Sequence, residues 1–203
     1  MFVTFEGGEG CGKSTHSKLL KKYLEGKGYK VLLTLEPGAT ELGKKLRRLL
    51  LKGRSLVSRY SELLLFAADR AEHVACVIKP ALKNGTLVIS DRFIDSTTAY
   101  QTGGRMLPKD TVRYVNRLSS DGIVPDLTFL LDVDPGKGIP RGTKHSKKDK
   151  FESENGGFHA RVRKTYLKIA QKEPKRVKII PTEGSIRKVQ DVIRRIVDEK
   201  LGN

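Results

Sequence analysis

An α/β fold with a parallel sheet is predicted for this 203-residue chain on three observations. Strand-length apolar runs alternate with longer stretches of helical periodicity along the whole sequence. A glycine-rich turn joins the first apolar run directly to the first helical stretch. No internal repeat and no linker divides the chain, so residues 1–203 are expected to form one domain, with at most a small mobile subregion.

Taken in order, the first strand is Phe2-Val-Thr-Phe-Glu6. A helix over 14–27 follows, burying Leu19, Leu20, Tyr23 and Leu24 and stopping near Gly26 or Gly28. A strand at 30–34 ends in the turn Glu36-Pro37-Gly38. The stretch 40–51 carries Leu42, Leu46, Leu49 and Leu50 at helical spacing. A long helix is predicted over 58–83, with Pro80 kinking its last turn and Asn84-Gly85 ending it. Residues 87–90 read as a buried strand with Asp91-Arg92 at its carboxyl end, the edge where open α/β sheets bind ligands. Residues 93–108 read as loop or frayed helix broken at Gly103-Gly104, and 109–120 as a helix. Pro125-Asp126 leads into a strand at 127–133. Between 134 and 150, glycines, prolines and lysines replace apolar residues, which reads as a mobile basic loop. A helix over 153–171, a strand over 177–180 and a helix over 185–201 complete the chain, the last with Ile186, Val189, Ile193, Val197 and Leu201 on one face.

Composition narrows the function classes. A hydrophobic fraction of 37% suffices for a core at this length, and no apolar run approaches the ~18 residues of a membrane span. With no basic, then apolar, leader before the first strand, a cytoplasmic protein is expected. Cys11 and Cys76 form neither a disulfide framework nor a metal spacing. Cys11 is expected to fill a tight loop, and Cys76, among Val74, Ala75, Val77 and Ile78, to be core. Forty Lys and Arg against 23 acids give +17, which suggests anionic partners. No nucleic-acid-reading motif accompanies that charge, and seven Phe, six Tyr and no Trp make a thin stacking platform. No specific nucleic-acid partner is expected.

Between the first strand and first helix lies Gly7-Gly-Glu-Gly-Cys-Gly-Lys-Ser14-Thr15, an ungapped match to G-x-x-x-x-G-K-[ST]. Strand before and helix after are the context of a phosphate-binding P-loop, so the expected fold is that of P-loop NTPases. Gly7, Gly8, Gly10 and Gly12 let the backbone turn with its N–H groups inward. The following helix adds its unpaired N–H groups and dipole. Lys13 is placed to reach the β- and γ-phosphates, and the Ser14 hydroxyl to ligate Mg²⁺. Glu9, Cys11 and Thr15 complete the predicted ATP-binding stretch.

A P-loop specifies only a superfamily, and three further stretches narrow it. In Phe66-Ala-Ala-Asp-Arg70-Ala-Glu-His73 the aromatic, guanidinium and imidazole share a helix face. Such a face can stack a base and bond its edge, although a core Phe beside a surface Arg has the same spacing. In Ser90-Asp91-Arg92 through Tyr100-Gln101, a strand-end carboxylate beside the P-loop suits the water shell of Mg²⁺, and Arg92 suits a second phosphate. The basic stretch with Arg141 offers cations to a moving phosphoryl group.

Together these stretches resemble the thymidylate kinase family from residue 1 to about 180, through Phe-Ala-Ala-Asp-Arg, Asp-Arg-Phe and Ala-Tyr-Gln as well as the P-loop. The resemblance implies a five-stranded parallel sheet flanked by helices, with 134–150 as a short basic lid. It implies Phe66 stacked on thymine, Arg70 on a base carbonyl, and Thr97 and Gln101 at the base edge, with Ser96, Glu36 and Pro37 completing the dTMP site. Tyr100 would lie under the deoxyribose, and Arg92 would hold the dTMP phosphate. Glu9 would act near the acceptor phosphate or its metal, Asp91 and Ser14 at Mg²⁺. Lys13, Arg92, Arg141 and Glu9 would be the catalytic set, with Lys144, Lys147, Lys148 and Lys150 supporting Arg141. A homodimer through the long helices is expected. Three departures stand out. Leu35 replaces an arginine expected before Glu-Pro-Gly, removing a cation near the acceptor phosphate. Lys150 replaces an arginine after Asp149, keeping charge without the fork. Pro181-Thr-Glu-Gly184 alters the start of the adenine loop.

The expected activity is therefore ATP + dTMP → ADP + dTDP with Mg²⁺. Another nucleoside or nucleotide kinase of this fold is the nearest alternative, separated by a panel of acceptors. A nucleic-acid-associated ATPase would show ATP hydrolysis stimulated by DNA or RNA. An enzyme weakened by Leu35 would gain activity on Leu35→Arg.

Overall fold

Five short strands supply the frame: β1 (Phe2–Glu6), β2 (Val31–Leu35), β3 (Leu87–Asp91), β4 (Leu127–Asp132) and β5 (Val177–Pro181). They pair in parallel in the order β2-β3-β1-β4-β5. The structure, a computed structural model, describes residues 1–52, 58–143, 150–182 and 184–202. Parallel neighbours need crossovers, which here are α1 (Lys13–Gly26), α2 (Glu41–Lys52), α3 (Arg59–His73), α4 (Lys79–Lys83), α5 (Ile94–Thr97), α6 (Lys109–Ser119), α7 (Pro135–Thr143) and α8 (Gly156–Lys172), while α9 (Ile186–Leu201) follows the last strand.

Successive strand residues enter opposite cores, as the pleat requires. Val3, Phe5, Ile89, Phe129 and Leu131 pack against Leu20 and Leu24 of α1 and Val189, Ile193 and Val197 of α9. On the other face Phe2 and Val88 meet Val74, Ile78 and Phe93, while Leu130 meets Tyr100, Val162 and Tyr166. Full burial of a Phe or Leu stabilises by ~1.5–3 kcal/mol, so apolar packing holds the sheet and leaves the polar strand ends to the site.

Caps set the helix starts. Ser185 accepts from Lys188 N at 3.3 Å and Ser58 from Ser61 N at 3.2 Å. Asn155 accepts from Phe158 N at 2.9 Å, which starts α8 at Gly156 rather than at 153. The predicted helix over 58–83 is a single path in which a π turn, Val74–Ile78, joins α3 to α4 just before Pro80. Widening there relieves the clash a proline ring makes with the preceding turn. Cys76 lies on this turn exposed, not in the core as its apolar neighbours suggest.

Two segments differ from the sequence reading. Residues 94–104 are helical throughout, α5 continuing into a π turn, Thr98–Gly104, where a loop or frayed helix is expected. The glycines serve close packing rather than a break: a Cβ at Gly103 would meet Thr165 Oγ1 at 2.3 Å, and one at Gly104 the Phe158 ring at 2.4 Å. The first half of the expected mobile basic loop is α7. Asp134 Oδ1 accepts from Gly136 N at 2.9 Å, and Pro135 occupies the first helical position, where its missing N–H costs nothing. Lys144, Lys147 and Lys148 lie outside the described residues. Among the described residues no helix is long and apolar enough to cross a membrane.

Beneath the carboxyl edge lies a buried acid, Glu6, at the end of β1. Its Oε1 accepts from Phe93 N at 2.7 Å, and its Oε2 from Ser96 Oγ at 2.5 Å and Tyr166 OH at 2.9 Å. Burial, with the charge of Asp95 adding to it, pushes the Glu6 carboxyl up to about 7. The folded state therefore binds this proton more tightly than the unfolded chain, whose glutamate titrates near 4.5. The resulting stabilisation is full below that value and is lost as pH rises through about 7. Relative to Glu6→Gln, the wild-type protein should lose about 3 kcal/mol between pH ~4 and pH ~8. Denaturant unfolding of both across that range checks it; a stability difference that does not move with pH refutes it.

Candidate active site

The P-loop crosses from β1 to α1 with Gly7, Gly10 and Gly12 in left-handed backbone, at φ 139°, 65° and 95°. Gly7 has a second reason to be glycine: a Cβ there would lie 2.4 Å from Leu131 O. Gly8 meets neither demand, having open space at its Cβ position, so the backbone does not require glycine there as the motif reading supposes. Lys13 Nζ folds over the loop and donates to Gly8 O at 2.8 Å and Gly7 O at 3.2 Å. Cys11 is buried in the main core, its Sγ 3.5 Å from Lys13 Nζ, as a loop-filling residue should be. Ser14 and Thr15 form the exposed first turn of α1. Ser14 Oγ donates to Asp91 Oδ2 at 2.5 Å, joining the helix start to the end of β3.

Arg92, the next residue, has φ 76°, an uncommon conformation for a side chain of its size. The peptides around it are tied down: Arg92 N donates to Phe5 O at 3.0 Å, Ser90 Oγ to Arg92 O at 2.8 Å, and Phe93 N to Glu6. This turn aims the guanidinium back at the P-loop. Arg92 Nη2 lies 2.7 Å from Glu9 Oε1, and Nη1 donates to Gly7 O at 3.2 Å and to Ser96 Oγ at 3.2 Å. Tyr100 donates to the same Glu9 oxygen at 2.6 Å, and its ring lies 5.1 Å beneath the guanidinium. Burial opposes ionisation of Glu9, but Arg92 and Lys13 outweigh it and hold the carboxyl at about 2. Their reciprocal effect keeps Arg92 charged despite burial.

Beyond this bridge opens a cleft lined by Glu9, Glu36, Pro37, Phe66, Arg70, Arg92, Ser96, Thr97, Tyr100 and Gln101. The predicted dTMP set is thus brought together along one wall system. Arg70 is not the surface residue its spacing also allows. It is 2% exposed, with Nε on Glu36 Oε2, Nη1 on Asn116 Oδ1 and Nη2 on Thr97 Oγ1, each at 2.9 Å. His73 is equally buried, between Glu36 Oε1 at 3.0 Å and Thr34 Oγ1 at 2.7 Å. Asp69 accepts from Gly38 N at 2.9 Å and holds the turn after Pro37; burial, then the charge of Glu36, pushes its carboxyl up to about 6. Ser96 faces backwards, donating to Glu6, so its tie to the cleft runs through Arg92.

Two predicted lid cations, Arg141 and Lys150, fall among the described residues. Arg141 is exposed in the last turn of α7. Lys150 pairs at 2.8 Å with the buried Glu62 of α3. α7 comes closest to the P-loop backbone at Gly138, where a Cβ would lie 2.5 Å from Glu9 O.

Sequence reading missed four contributors. Arg47 lines the cleft and donates to Pro37 O at 2.6 Å. It stands beside the leucine stripe of α2, but the adjacent Arg48 offers the same sequence signal. Phe151 closes the cleft 5.8 Å from Phe66 and 5.6 Å from Tyr100. Asn116 fixes Arg70, and Glu62 accepts from Gln101 Nε2 at 3.2 Å. Among the described residues no group of three or more His, Cys, Asp or Glu side chains could hold a metal by itself.

Comparison with known proteins agrees with this geometry. The pattern described as "Thymidylate kinase" matches residues 5–193. The chain is 44% identical over 200 residues to a thymidylate kinase of Gloeobacter violaceus, covering 98% of this chain and 94% of that protein. It is 51% identical over 177 residues to one of Dehalococcoides mccartyi, covering 87% and 85%. The crystal structure of thymidylate kinase from Ehrlichia chaffeensis superposes with a TM-score of 0.82 at 37% identity, covering 98% of both chains. A glycine loop, a left-handed Arg92 locked to it and an aromatic cleft beside it, found in a chain so matched along its length, make this protein a member of the thymidylate kinase family.

Proposed function

We propose that this protein transfers the γ-phosphoryl group of ATP to dTMP, giving ADP and dTDP, and that its residues divide the work as follows. The observation that carries the assignment is the Glu9–Arg92–Tyr100 bridge, which joins the phosphate loop to the cleft of Phe66 and Arg70. ATP lies along residues 7–15, its β- and γ-phosphates under Lys13 and the N-terminus of α1. The thymine ring stacks on Phe66 with Phe151 at its edge, and Arg70 donates to a ring carbonyl. Tyr100 underlies the sugar, and Arg92 holds the acceptor phosphate. Glu9, kept ionised, is an acceptor-only group that fixes Arg92 and the phenol until substrate phosphate competes for the guanidinium.

No general base is needed. A phosphate monoester with a second pKa of ~6 is largely a dianion at neutral pH and is already nucleophilic. Its oxygen attacks Pγ, and the bond from Pγ to the β–γ bridging oxygen breaks as ADP leaves. The chain's task is to hold two polyanions in line, offset their repulsion and exclude water. Lys13 and Arg92 meet that from two sides, and Arg141 supplies a third cation from α7. The Ser14 hydroxyl and Asp91 carboxylate converge at 2.5 Å, a pair of hard oxygen donors that suits Mg²⁺, which takes one or two protein oxygens and completes its shell with phosphate and water. Ser14 and Asp91 would hold Mg²⁺, whose charge would offset that of the ATP phosphates.

Leu35 is 40% exposed at the end of β2, and Arg47 lines the dTMP cleft from α2. Arg47 therefore takes the role of acceptor-side cation that Leu35 lacks. A homodimer in the cytoplasm fits this assignment; the exposed apolar side chains Tyr60 and Leu64 of α3, with Tyr114 and Leu118 of α6, support pairing through those helices.

Purified protein with Mg²⁺ and ATP should phosphorylate dTMP in preference to UMP, CMP, AMP and thymidine, and Lys13→Met should abolish turnover. Formation of no dTDP refutes the assignment, and ATP hydrolysis stimulated by DNA or RNA but not by dTMP replaces it. Base stacking is worth ~1–3 kcal/mol, so Phe66→Ala should raise the KM for dTMP by ~10–100-fold and leave that for ATP unchanged. Arg47→Met should raise the KM for dTMP ~10-fold or more, and adding Leu35→Arg should recover part of it; steady-state kinetics of the two variants decide.

A further inference from the structure

One buried acid at the cleft has no part in the phosphate chemistry. Glu62 lies on α3 one turn before Phe66 and is 1% exposed. Donors converge on both its oxygens. Arg105 Nε reaches Oε1 at 2.8 Å and Nη2 reaches Oε2 at 3.1 Å; Lys150 Nζ reaches Oε2 at 2.8 Å. The remaining donor is the Gln101 side-chain amide, its Nε2 at 3.2 Å from Oε1. Burial disfavours the charge on Glu62, but Arg105 and Lys150 outweigh it and hold the carboxyl below the usual range. An ionised carboxylate only accepts hydrogen bonds, so the amide can turn only its NH₂ end toward it. Its oxygen end is then turned away from Glu62, and Gln101 itself lines the cleft.

We propose that Glu62 is a specificity-determining positioning residue: by anchoring the Gln101 amide through nitrogen, it makes Gln101 offer the base an acceptor and so selects a ring that carries N–H at that edge. This rests on the dTMP reading above. Thymine N3 carries a hydrogen and meets an acceptor. Cytosine N3 is a lone pair and would face another lone pair, leaving both unpaired. Uracil shares thymine's edge, so Glu62 gives no discrimination against it; that must come from contacts to the methyl group. Arg70, lining the same cleft, adds a donor, and the two would form a donor–acceptor template for a carbonyl next to N–H. Lys150, the last residue of the predicted lid, donates to the same carboxylate, so the base reader and the lid root share one anchor.

The test uses Glu62→Gln, in which the side chain offers Gln101 either a donor or an acceptor and no longer dictates its orientation. Its kcat/KM is measured for dTMP, dUMP and 5-methyl-dCMP, the last retaining the methyl group and differing from dTMP at C4 and N3. The ratio of dTMP to 5-methyl-dCMP should fall ~10-fold or more while dTMP to dUMP stays constant, and Glu62→Asp should restore part of the lost ratio. A merely structural role would lower all three substrates together and leave both ratios flat, which overturns the proposal. If Glu62→Gln does not fold, the wild-type protein decides by NMR: with dTMP bound, one Gln101 side-chain amide proton should exchange slowly with solvent, and equal fast exchange of both overturns the proposal. Wild-type turnover separates the failures. Flat ratios in an enzyme that makes dTDP remove the Glu62 inference alone; no dTDP from the wild-type protein removes the function and the inference with it.

Discussion

The contact between Glu9 and Arg92 is the constraint on which the rest of the site depends. It joins residues far apart in sequence at 2.7 Å and sets the distance between the phosphate loop and the aromatic cleft. Arg92 reaches Glu9 only because its backbone is left-handed, a conformation that costs a large L-residue ~1–2 kcal/mol. Three hydrogen bonds around the turn, to Phe5 O, from Ser90 Oγ and from Phe93 N to Glu6, are of the size needed to offset that. Strain of this kind persists where surrounding structure over-determines it. Here it puts a guanidinium between the glycine loop and the aromatic cleft.

Two kinds of buried acid support the site. Glu6 and Asp69 are held by neutral donors, whereas four others meet a fork or an ammonium: Glu36 with Arg70, Glu9 with Arg92, Glu62 with Arg105 and Lys150, Asp95 with Arg176. Replaced by apolar residues of equal volume, such pairs often leave stability unchanged or improved, so stability does not explain them. What they provide is orientation. A guanidinium held through Nε and Nη at Glu36, Asn116 and Thr97 has little freedom left and presents its edge in one direction. The net charge of +17 is a separate matter, carried largely by exposed lysines and arginines of the helices.

Much of this was legible in the sequence because the relevant signals are local. The apolar runs at 2–6, 87–90 and 127–133, the glycine loop and the stripe of Ile186, Val189, Ile193 and Val197 each state their own structure. Errors arose where a residue serves a distant neighbour. Gly103 and Gly104 read as a break, yet α8 requires them small. Gly136, Gly138 and Pro140 read as loop, yet Asp134 caps a helix and Gly138 fits against the P-loop. Arg47 could not be told from Arg48, nor Glu62 from any acid on a helix, because what distinguishes them lies across the cleft. The left-handed turn at Arg92 carries no sequence mark, since an arginine is not where one looks for positive φ.

The two ends of the predicted lid segment meet different parts of the candidate site. At its start α7 lies against the P-loop, with Gly138 so close to Glu9 O that no side chain fits between. At its return the chain is tied to the other partner: Lys150 to Glu62, and Phe151 between the rings of Phe66 and Tyr100. On the proposed function, a base stacked on Phe66 would lie against Phe151, and a phosphate in the glycine loop would lie near α7. On the same function, Arg141 of α7 would come to the transferring group most effectively when both sites are filled. That is the arrangement a kinase needs if ATP is to meet a nucleotide rather than water.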